Sequence, residues 1–290
     1  MNSTAYGCPD GIPLFYFHGA PGAPVEAAAL HDAAVAHGIR LLVVERNQAD
    51  ELNGEDYLQG LAQQVRASAA GYPIRLLGFS IGACLALRVA ARLEEHVAAI
   101  YLLSAAAPLE IPDNRIGMGA GRHTFHWAQQ YPRLFLAFAR YQAWLAKLNP
   151  RLLLRLLFAG AGGSDRALLS QPQTHTWLAN IQRDCFQPGI SRYVRDIRLY
   201  VEPWAEELGK VSAAVSLWHG DADNWAPPAM SSYLAQHLPH VTALTQCAGQ
   251  AHYSCLLANA QAVMAQVQRS AARITNPEQY GPHATPHTHN

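Results

Sequence analysis

The sequence predicts an α/β fold with a mostly parallel sheet, helices on both faces of that sheet, and a helical insertion in the middle of the chain. Short apolar runs typical of buried strands alternate with longer helix-forming stretches, which is the order that parallel sheets produce. Residues 108–206 are almost entirely helical in pattern. With 290 residues, the chain is long enough for one large domain and such an insertion.

The domain organisation follows from the position of the insertion. We expect a core in two parts, residues 1–107 and 207–275, separated by a helical cap at residues 108–206. Residues 276–290 are rich in proline, histidine and polar residues without apolar periodicity, which predicts a disordered tail.

Strands are predicted from short apolar runs bounded by turn residues. They are expected at residues 13–17, 40–44, 74–77, 97–103, 214–218 and 241–245. Helices are expected at residues 23–36, 55–70 and 83–93. Open parallel sheets place functional side chains in loops just past the carboxyl ends of the strands, so we expect the site there.

The motif Gly78-Phe79-Ser80-Ile81-Gly82 stands between a predicted strand and a predicted helix. A serine on so sharp a turn projects its hydroxyl above the sheet, and a Cβ at either flanking glycine would collide with the neighbouring strand or helix. The helix that follows aims its free N–H groups at any negative charge developing there. This context predicts that Ser80 is a nucleophile; the alternative is a serine that only makes a tight turn.

Two downstream segments carry the acid and the base that a serine nucleophile needs. Residues 218–227 contain Asp221 and Asp223, and residues 247–253 contain His252. Imidazole titrates near neutrality, so His252 can take a proton and return it. The alternatives for His252 are a helix cap or a place in the core.

At these residues the sequence resembles the α/β-hydrolase superfamily in its single-cap form, over residues 5–270. The order Ser, Asp, His along the chain is typical of that superfamily. Residues 18–22, His-Gly-Ala-Pro-Gly, are similar to the segment that supplies half of its oxyanion hole. The resemblance implies the α/β-hydrolase fold, with the helical cap inserted after the sixth strand.

The resemblance also implies a role for each matching residue. Ser80 is the expected nucleophile, His252 the general base, and Asp223 the group that orients the imidazole. The backbone N–H groups of Ala20 and Ile81 are the expected oxyanion-hole donors.

The family's turn, Gly-x-x-Asp-x-x-hydrophobic-Pro, matches residues 220–227. This match selects Asp223 as the catalytic acid and leaves Asp221 as a solvated or turn-stabilising residue. The sequence departs from the family near its start, where two antiparallel strands usually precede the first apolar one. Residues 5–11 look like the end of the second of these strands and its turn.

The cap, residues 108–206, is expected to be a lid that covers the serine, excludes water and lines an apolar pocket. Pro132 starts one of its helices, Asn149-Pro150 ends it, and Ser164 is expected as an N-cap. The candidate substrate-binding residues are bulky and apolar: Phe135, Phe138, Trp144 and Leu154. The alternative is that they pack only the cap's own small core.

For several other polar residues the favoured interpretation is a structural role. His18 precedes the expected oxyanion turn and is interpreted as a loop-bracing residue, and His219 as a structural residue at a strand end. Glu202, Glu206 and Glu207 offer carboxylates for a substrate amine, as acidic cap residues do in prolyl aminopeptidases. Solvated helix charges are the favoured interpretation of all three.

Composition excludes several classes of partner. Lys+Arg and Asp+Glu are equal at 21 each, so no net field attracts nucleic acid, and no long uncharged apolar stretch predicts a membrane span. The amino terminus lacks the pattern of a secretory signal, so a cytoplasmic protein is expected. Five scattered cysteines without a Cys-x-x-Cys pair suggest neither a metal site nor a disulfide framework. We expect no cofactor, a small-molecule substrate, and a monomer or homodimer.

The leading hypothesis for function is a serine hydrolase that cleaves an ester, thioester or activated amide of a small, mostly apolar molecule. A proline-iminopeptidase-like exopeptidase and a carbon–carbon bond hydrolase use the same triad and stay open as alternatives. From another class, a ligand-binding homologue without turnover stays open. Haloalkane dehalogenase and epoxide hydrolase chemistry are disfavoured, because both need an aspartate at the position of Ser80.

Overall fold

The computed structural model describes residues 4–46 and 54–275 and places a seven-stranded sheet at its centre. The strands are β1 (Ala5–Gly7), β2 (Ile12–Phe17), β3 (Ile39–Val43), β4 (Ile74–Phe79), β5 (Val97–Leu103), β6 (Ala214–Gly220) and β7 (Val241–Cys247). Their order in the sheet is β1-β3-β2-β4-β5-β6-β7. β1 runs antiparallel to β3, and the other described pairs are parallel, so the mostly parallel sheet is confirmed. The predicted tail at 276–290 lies outside the described residues.

All six predicted strands occur, and the functionally important ones extend further at their carboxyl ends. β4 runs to Phe79 rather than Leu77, and β6 runs to Gly220 rather than Trp218. Every residue of β4 is buried, because a central parallel strand is covered on both faces, and its sequence is therefore a continuous apolar run. These extensions carry the chain directly to Ser80 and to the loop that contains the two aspartates.

β1 is the reduced antiparallel strand expected near residues 5–11. Its three residues pair with β3, with Ala5 opposite Leu42. The family pattern has two antiparallel strands before the parallel set and the described residues contain one, so the insertion expected after the sixth strand follows β5 here.

Helices cover both faces of the sheet. In the described ranges they are α1 (His31–Ala36), α2 (Gly54–Ala69), α3 (Ile81–Leu93), α4 (Gly121–Gln130), α5 (Pro132–Leu148), α6 (Pro150–Leu157), α7 (Gly163–Leu168), α8 (Pro172–Phe186), α9 (Ser191–Val201), α10 (Pro228–His237), α11 (His252–Ala258) and α12 (Ala260–Thr275). The single helix predicted over residues 23–36 is wrong: a 3-10 helix, Pro24–Leu30, precedes α1. Within it Glu26 is fully buried and accepts a hydrogen bond from the Gly19 amide, a tertiary contact that helical periodicity does not reveal.

The cap segment, residues 108–206, contains α4 to α9 between β5 and β6. Asn149 accepts a hydrogen bond from the Leu152 amide at 3.0 Å and so caps α6. The prediction that Ser164 is an N-cap is wrong, because Gly162 occupies that position and Ser164 lies inside α7. A Cβ at Gly162 would lie 2.6 Å from the carbonyl oxygen of Ala222, so this chain crossing has no room for a capping side chain.

The apolar core forms two layers, one on each face of the sheet. Alternate residues of one strand enter opposite layers, as Phe15 and Phe17 do on one face and Leu14 and Tyr16 on the other. α3 is buried on nearly every side, so the turn that precedes it is held rigidly against the sheet. None of the helices in residues 4–46 and 54–275 is long and apolar enough to cross a bilayer.

Candidate active site

Ser80 occupies the sharp turn between β4 and α3. Its backbone lies at φ 57° and ψ −129°, a positive-φ conformation that residues other than glycine rarely adopt. A Cβ at Gly78 would lie 2.6 Å from the Cα of Ala83, and a Cβ at Gly82 would overlap the carbonyl oxygen of Phe17. The two glycines therefore allow the close crossing that holds the strained serine in place.

His252 and Asp223 form a buried hydrogen-bonded pair. The imidazole Nδ1 lies 2.7 Å from Asp223 Oδ2, and Asp223 Oδ1 accepts from the amides of Trp225 (2.9 Å) and Ala226 (3.0 Å). A carboxylate only accepts, so Nδ1 carries the proton and Nε2 is left as the basic nitrogen.

Burial and charge act in opposite directions on the pKa of each partner in this pair. Burial lowers the pKa of His252, but the Asp223 charge and hydrogen bond outweigh it and raise the pKa above its ordinary value. Burial raises the pKa of Asp223, but the His252 charge and hydrogen bond bring it below its ordinary range. The pair is therefore arranged to stabilise an imidazolium beside a carboxylate.

Asp221 lies apart from this pair. Its side chain is exposed, and its Oδ1 accepts a hydrogen bond from the Gly249 amide at 2.8 Å. The structure thus brings Asp223, rather than its neighbour Asp221, to His252.

Three residues that sequence reasoning missed hold His252 in place. Ser104 Oγ donates to the His252 carbonyl oxygen at 3.0 Å, and the ring of Trp225 lies 5.4 Å from the imidazole. Asp165, in the cap segment, accepts from the amides of Tyr253 (2.9 Å) and Ser254 (2.7 Å) in the first turn of α11. An acidic residue at a helix start is stabilising, but this one comes from 88 residues away, so local sequence gives no signal of it.

The loop expected to supply half of the oxyanion hole is held on both sides by buried charges. The Gly19 amide donates to Glu26 Oε1 at 2.9 Å, while Arg46 donates to the carbonyl oxygens of His18 and Gly19. Arg46 in turn pairs with Asp196 of α9 at 2.7 Å. The loop is therefore tied to both the core and the cap segment.

His18 and His219 are buried and bonded to backbone carbonyls. His18 Nδ1 lies 2.9 Å from the Gly19 oxygen, and His219 Nε2 lies 2.7 Å from the Ala226 oxygen. Burial lowers the pKa of both rings, and the Arg46 charge lowers that of His18 further. Both are neutral bracing residues in this arrangement.

Glu26 carries a prediction about pH and stability. Burial raises the pKa of its carboxyl from 4.5 to about 7, although hydrogen bonds from Tyr16 and Gly19 oppose the shift. The pKa of Glu26 is higher in the folded protein than in the unfolded chain. The contribution of its protonated carboxyl to the free energy of unfolding is therefore fully present below pH 4.5 and is lost as pH rises through about 7. The loss is about 3 kcal/mol for a fully buried group.

The matched control for this prediction is Glu26→Gln, which keeps an oxygen for the Gly19 amide and cannot ionise. We expect urea unfolding from pH 4 to pH 8 to show the wild-type protein losing about 3 kcal/mol relative to this variant. A difference between the two proteins that does not change with pH would contradict the prediction.

A cavity of about 640 Å³ opens above Ser80. Ser80, Ala20 and Ile81 all lie on its wall, so the structure brings the expected nucleophile and both expected oxyanion-hole residues to one space. The cap segment supplies most of the opposite wall, including residues of α4, α5, α6 and α9.

Of the four candidate substrate-binding residues, Phe138 alone lies on this wall. Phe135 and Leu154 are fully buried in the two apolar layers, and Trp144 is 55% exposed and stacks on Tyr141. Their assignment as pocket lining is therefore corrected. A bulky apolar residue packs equally well into a core or a cavity wall, so residue type alone does not distinguish the two positions.

The wall residues of α5 follow a helical spacing that could have been read as one face. They recur at intervals of three and four residues: Phe138, Tyr141, Gln142 and Leu145. This face mixes apolar and polar side chains, so it does not show the purely apolar stripe by which an amphipathic helix is usually recognised.

No Asp, Glu, Lys or Arg lies on the cavity wall in the described ranges 4–46 and 54–275. Glu202 and Glu206 are exposed. Glu207 is not a solvated charge as expected, because it pairs with Arg88 and Arg92 at 2.7 and 2.6 Å. The three glutamates considered for a substrate amine thus lie off this wall.

Comparison with known proteins identifies the fold. The family model described as alpha/beta hydrolase fold matches residues 56–258. The enol-lactonase from Burkholderia xenovorans LB400 aligns with a TM-score of 0.64 at 13% identity, covering 93% of this chain and 96% of that one. An esterase from Exiguobacterium antarcticum aligns with a TM-score of 0.60 at 15% identity, covering 93% of this chain and 94% of that one.

A putative non-heme bromoperoxidase from Mycobacterium tuberculosis H37Rv aligns with a TM-score of 0.64 at 16% identity, covering 94% of this chain and 97% of that one. The curated proteins contain no sequence match to the chain. Identities this low establish a shared fold alone.

Proposed function

Because the chain belongs to the α/β hydrolase fold family, we propose that it is a serine hydrolase that cleaves an ester, thioester or activated amide of a neutral, mostly apolar small molecule. The observation that carries this proposal is Ser80, held at positive φ on the wall of a large apolar cavity. The hydrogen-bonded pair of His252 and Asp223 supports it, since that pair leaves a basic imidazole nitrogen available.

The proposed reaction has two steps. Ser80 Oγ attacks the substrate carbonyl while His252 Nε2 takes its proton, and the amides of Ala20 and Ile81 stabilise the oxyanion. Collapse of the intermediate breaks the carbonyl–leaving-group bond, and His252 gives the proton to the leaving group. A water molecule, deprotonated by the same nitrogen, then hydrolyses the acyl-enzyme and restores Ser80.

The cavity favours an ester over a peptide with a free amino terminus. A protonated amine inside an apolar cavity needs a carboxylate partner, and the described wall supplies none. A neutral acyl group gains free energy from the same apolar surface. The exopeptidase alternative therefore lacks the contact that would recognise its substrate.

A fluorophosphonate probe tests the proposal. An activated serine attacks the phosphorus, forms an Oγ–P bond and releases fluoride, so we expect a single label at Ser80 and none in Ser80→Ala. A panel of p-nitrophenyl esters of graded chain length, run beside prolyl and alanyl anilides, should show turnover of esters first. An unlabelled wild-type protein without ester turnover would support the ligand-binding alternative instead.

The cavity wall should govern the preference among acyl chains. Phe138→Ala enlarges the cavity, so we expect the preferred p-nitrophenyl ester to become longer, as measured by kcat/KM across the panel. Phe135→Ala is the matched control, because it removes a fully buried ring of the same helix and should cost about 3–5 kcal/mol in stability. Trp144→Ala, at an exposed position, should change neither quantity. If Phe135→Ala changes the preferred acyl chain length and Phe138→Ala does not, the acyl group binds to a surface other than this cavity wall.

A further inference from the structure

The solvent-facing side of the cap helices α5 and α6 exposes a concentration of large apolar side chains. Ten large apolar residues are exposed in the described ranges, and seven of them fall within residues 131–156. Single apolar residues scattered over a protein surface are normal, whereas a group of them on one surface marks a binding site. We call this region the outer cap surface, and its apolar members are Tyr131, Leu134, Tyr141, Trp144, Leu148, Leu152 and Leu156.

Basic residues run beside these apolar residues on both helices. On α6, exposed Leu152 and Leu156 stand next to exposed Arg151 and Arg155, each pair one helical turn apart. On α5 the repeat is seven residues, about two turns, so each set lies along one side of the helix. The apolar stripe of α5 contains Leu134, Tyr141 and Leu148, and the basic stripe contains Arg133, Arg140 and Lys147.

The positive charge of this region is not balanced by nearby acidic residues in the sequence. Residues 114–164, which include α4, α5 and α6, contain seven arginines and lysines and no aspartate or glutamate. The chain as a whole is neutral, so the remainder carries a net negative charge. Within the described ranges, none of the five basic residues in the stripes of α5 and α6 forms an ion pair. This separation of charge orients the outer cap surface toward an anionic partner.

The outer cap surface borders the cavity above Ser80. Tyr141 and Leu156 are 48% and 53% exposed, yet both also line that cavity. The apolar stripes of the two helices therefore continue from solvent onto the cavity wall. Because the described wall carries no charged side chain, an apolar molecule moves from this surface toward the serine along apolar contacts.

The mixture of apolar and basic groups distinguishes between occupants. In a symmetric dimer, a second copy of the chain would bring two sets of the same cations together, which is unfavourable. A nucleic acid would neutralise the cations but would give the exposed leucines no apolar partner. The interface of an anionic bilayer suits both groups, since leucine and tryptophan enter the boundary of the acyl chains while arginine and lysine contact headgroup phosphates.

We propose that the outer cap surface docks on a membrane that contains anionic phospholipid, and that the substrate is an apolar ester taken up from that membrane. The docking goes beyond the proposed function and does not depend on it. The identity of the substrate rests on the proposed function, because it refers to the chemistry of Ser80.

Flotation with lipid vesicles tests the docking without catalysis. We would use Ser80→Ala with vesicles of phosphatidylcholine alone, or of phosphatidylcholine and phosphatidylglycerol in equal parts. We expect at least about tenfold tighter binding to the mixed vesicles, and weaker binding in about 1 M salt, where the screening length is about 3 Å. Equal binding to the two kinds of vesicle, or binding to neither, would overturn the inference.

A double variant tests the basic stripe. Arg140→Gln with Lys147→Gln should weaken binding to the mixed vesicles by about 30-fold, the scale of two charges near an anionic surface. Arg40→Gln with Arg269→Gln is the matched control, because it removes the same charge from exposed positions outside the cap. Equal losses in the two double variants would assign the binding to net charge and contradict a docking surface on α5.

A second pair of variants tests the apolar stripe. Trp144→Ser should weaken vesicle binding by about tenfold, whereas Tyr72→Ser, at another exposed aromatic residue, should have no effect. Both proteins should melt like wild type, since neither side chain is buried. Unchanged binding in Trp144→Ser would indicate a purely electrostatic contact, as with a nucleic acid, and would reject the membrane. A dimer in sedimentation velocity that Trp144→Ser dissociates would assign the surface to a second copy instead.

Turnover separates this inference from the proposed function. We would compare a long-chain p-nitrophenyl ester dissolved in the mixed vesicles with a short, soluble one. Arg140→Gln with Lys147→Gln should lose about tenfold in rate on the vesicle-borne ester and keep the wild-type kcat/KM on the soluble one. Vesicle binding without turnover of either ester supports the docking and rejects the proposed function. Equal rates for both proteins on both esters overturn the inference and leave the proposed function standing.

Discussion

Replacing Ser80 with alanine is expected to remove nearly all hydrolysis, with kcat falling on the order of 10⁶-fold. His252→Ala should cause a loss of similar size, and the double variant should be hardly worse than either single one. The reason is that the two residues act as one unit: the serine is a poor nucleophile until the imidazole takes its proton, and the imidazole has no other step to assist without the serine. The activity that remains comes from the oxyanion hole and from substrate binding.

The measurement is kcat and KM for one p-nitrophenyl ester across wild type, the two single variants and the double variant. Ser68→Ala, on the exposed face of α2, is a control that should leave both constants unchanged. Losses that multiply in the double variant would mean that Ser80 and His252 contribute to separate steps, and the shared mechanism would have to be abandoned.

Asp223→Asn is expected to lower kcat on the order of 10⁴-fold. The structure gives a specific reason, because the amides of Trp225 and Ala226 both donate to Asp223 Oδ1. An asparagine must put its oxygen there, so its NH₂ group takes the place of Oδ2 and faces His252 Nδ1. That contact would make Nδ1 an acceptor and move the ring proton to Nε2, where the nitrogen can no longer take a proton from the serine.

Asp221→Asn is the matched control for the neighbouring carboxylate. Its amide oxygen can still accept from the Gly249 amide, so we expect a change in kcat of roughly tenfold or less. The pH dependence of kcat/KM is a second measurement: Asp223 raises the pKa of His252, so the ascending limb should move to lower pH in Asp223→Asn and stay in place in Asp221→Asn. An inactive Asp221 variant beside an active Asp223 variant would reverse the assignment.

The strands and the serine turn could be predicted because their signals are local. A central strand such as β4 is buried along its whole length and is mostly apolar. The glycines on either side of Ser80 are required because a Cβ there would collide with the adjacent strand or helix. The start of α5 and its boundary with α6 were also predictable, since Pro132 and Asn149-Pro150 mark them. The match between residues 220–227 and a family turn selected the same aspartate that contacts His252 in the structure.

Most of the supporting contacts could not be predicted, because they join residues far apart in the chain. Arg46 and Asp196 are 150 residues apart, yet together they tie the loop at residues 18–22 to the cap segment. Asp165 contacts α11 from another cap helix, and Glu26 lies inside a 3-10 turn that the periodicity of the sequence described as an α-helix. Sequence pattern predicts which residues are buried but not which partners they find.

By itself, then, the sequence determined the layer architecture, the strand-to-helix turn of the serine, and the order of the three candidate catalytic residues. The tertiary structure alone decided which side of each cap helix faces the cavity. Phe135, Phe138 and Trp144 have similar sequence signals, but they lie respectively in the core, on the cavity wall and in solvent. The physical reason is that an apolar ring gains free energy in any water-poor place, so only the packing of α5 against its neighbours determines which ring faces the space above Ser80.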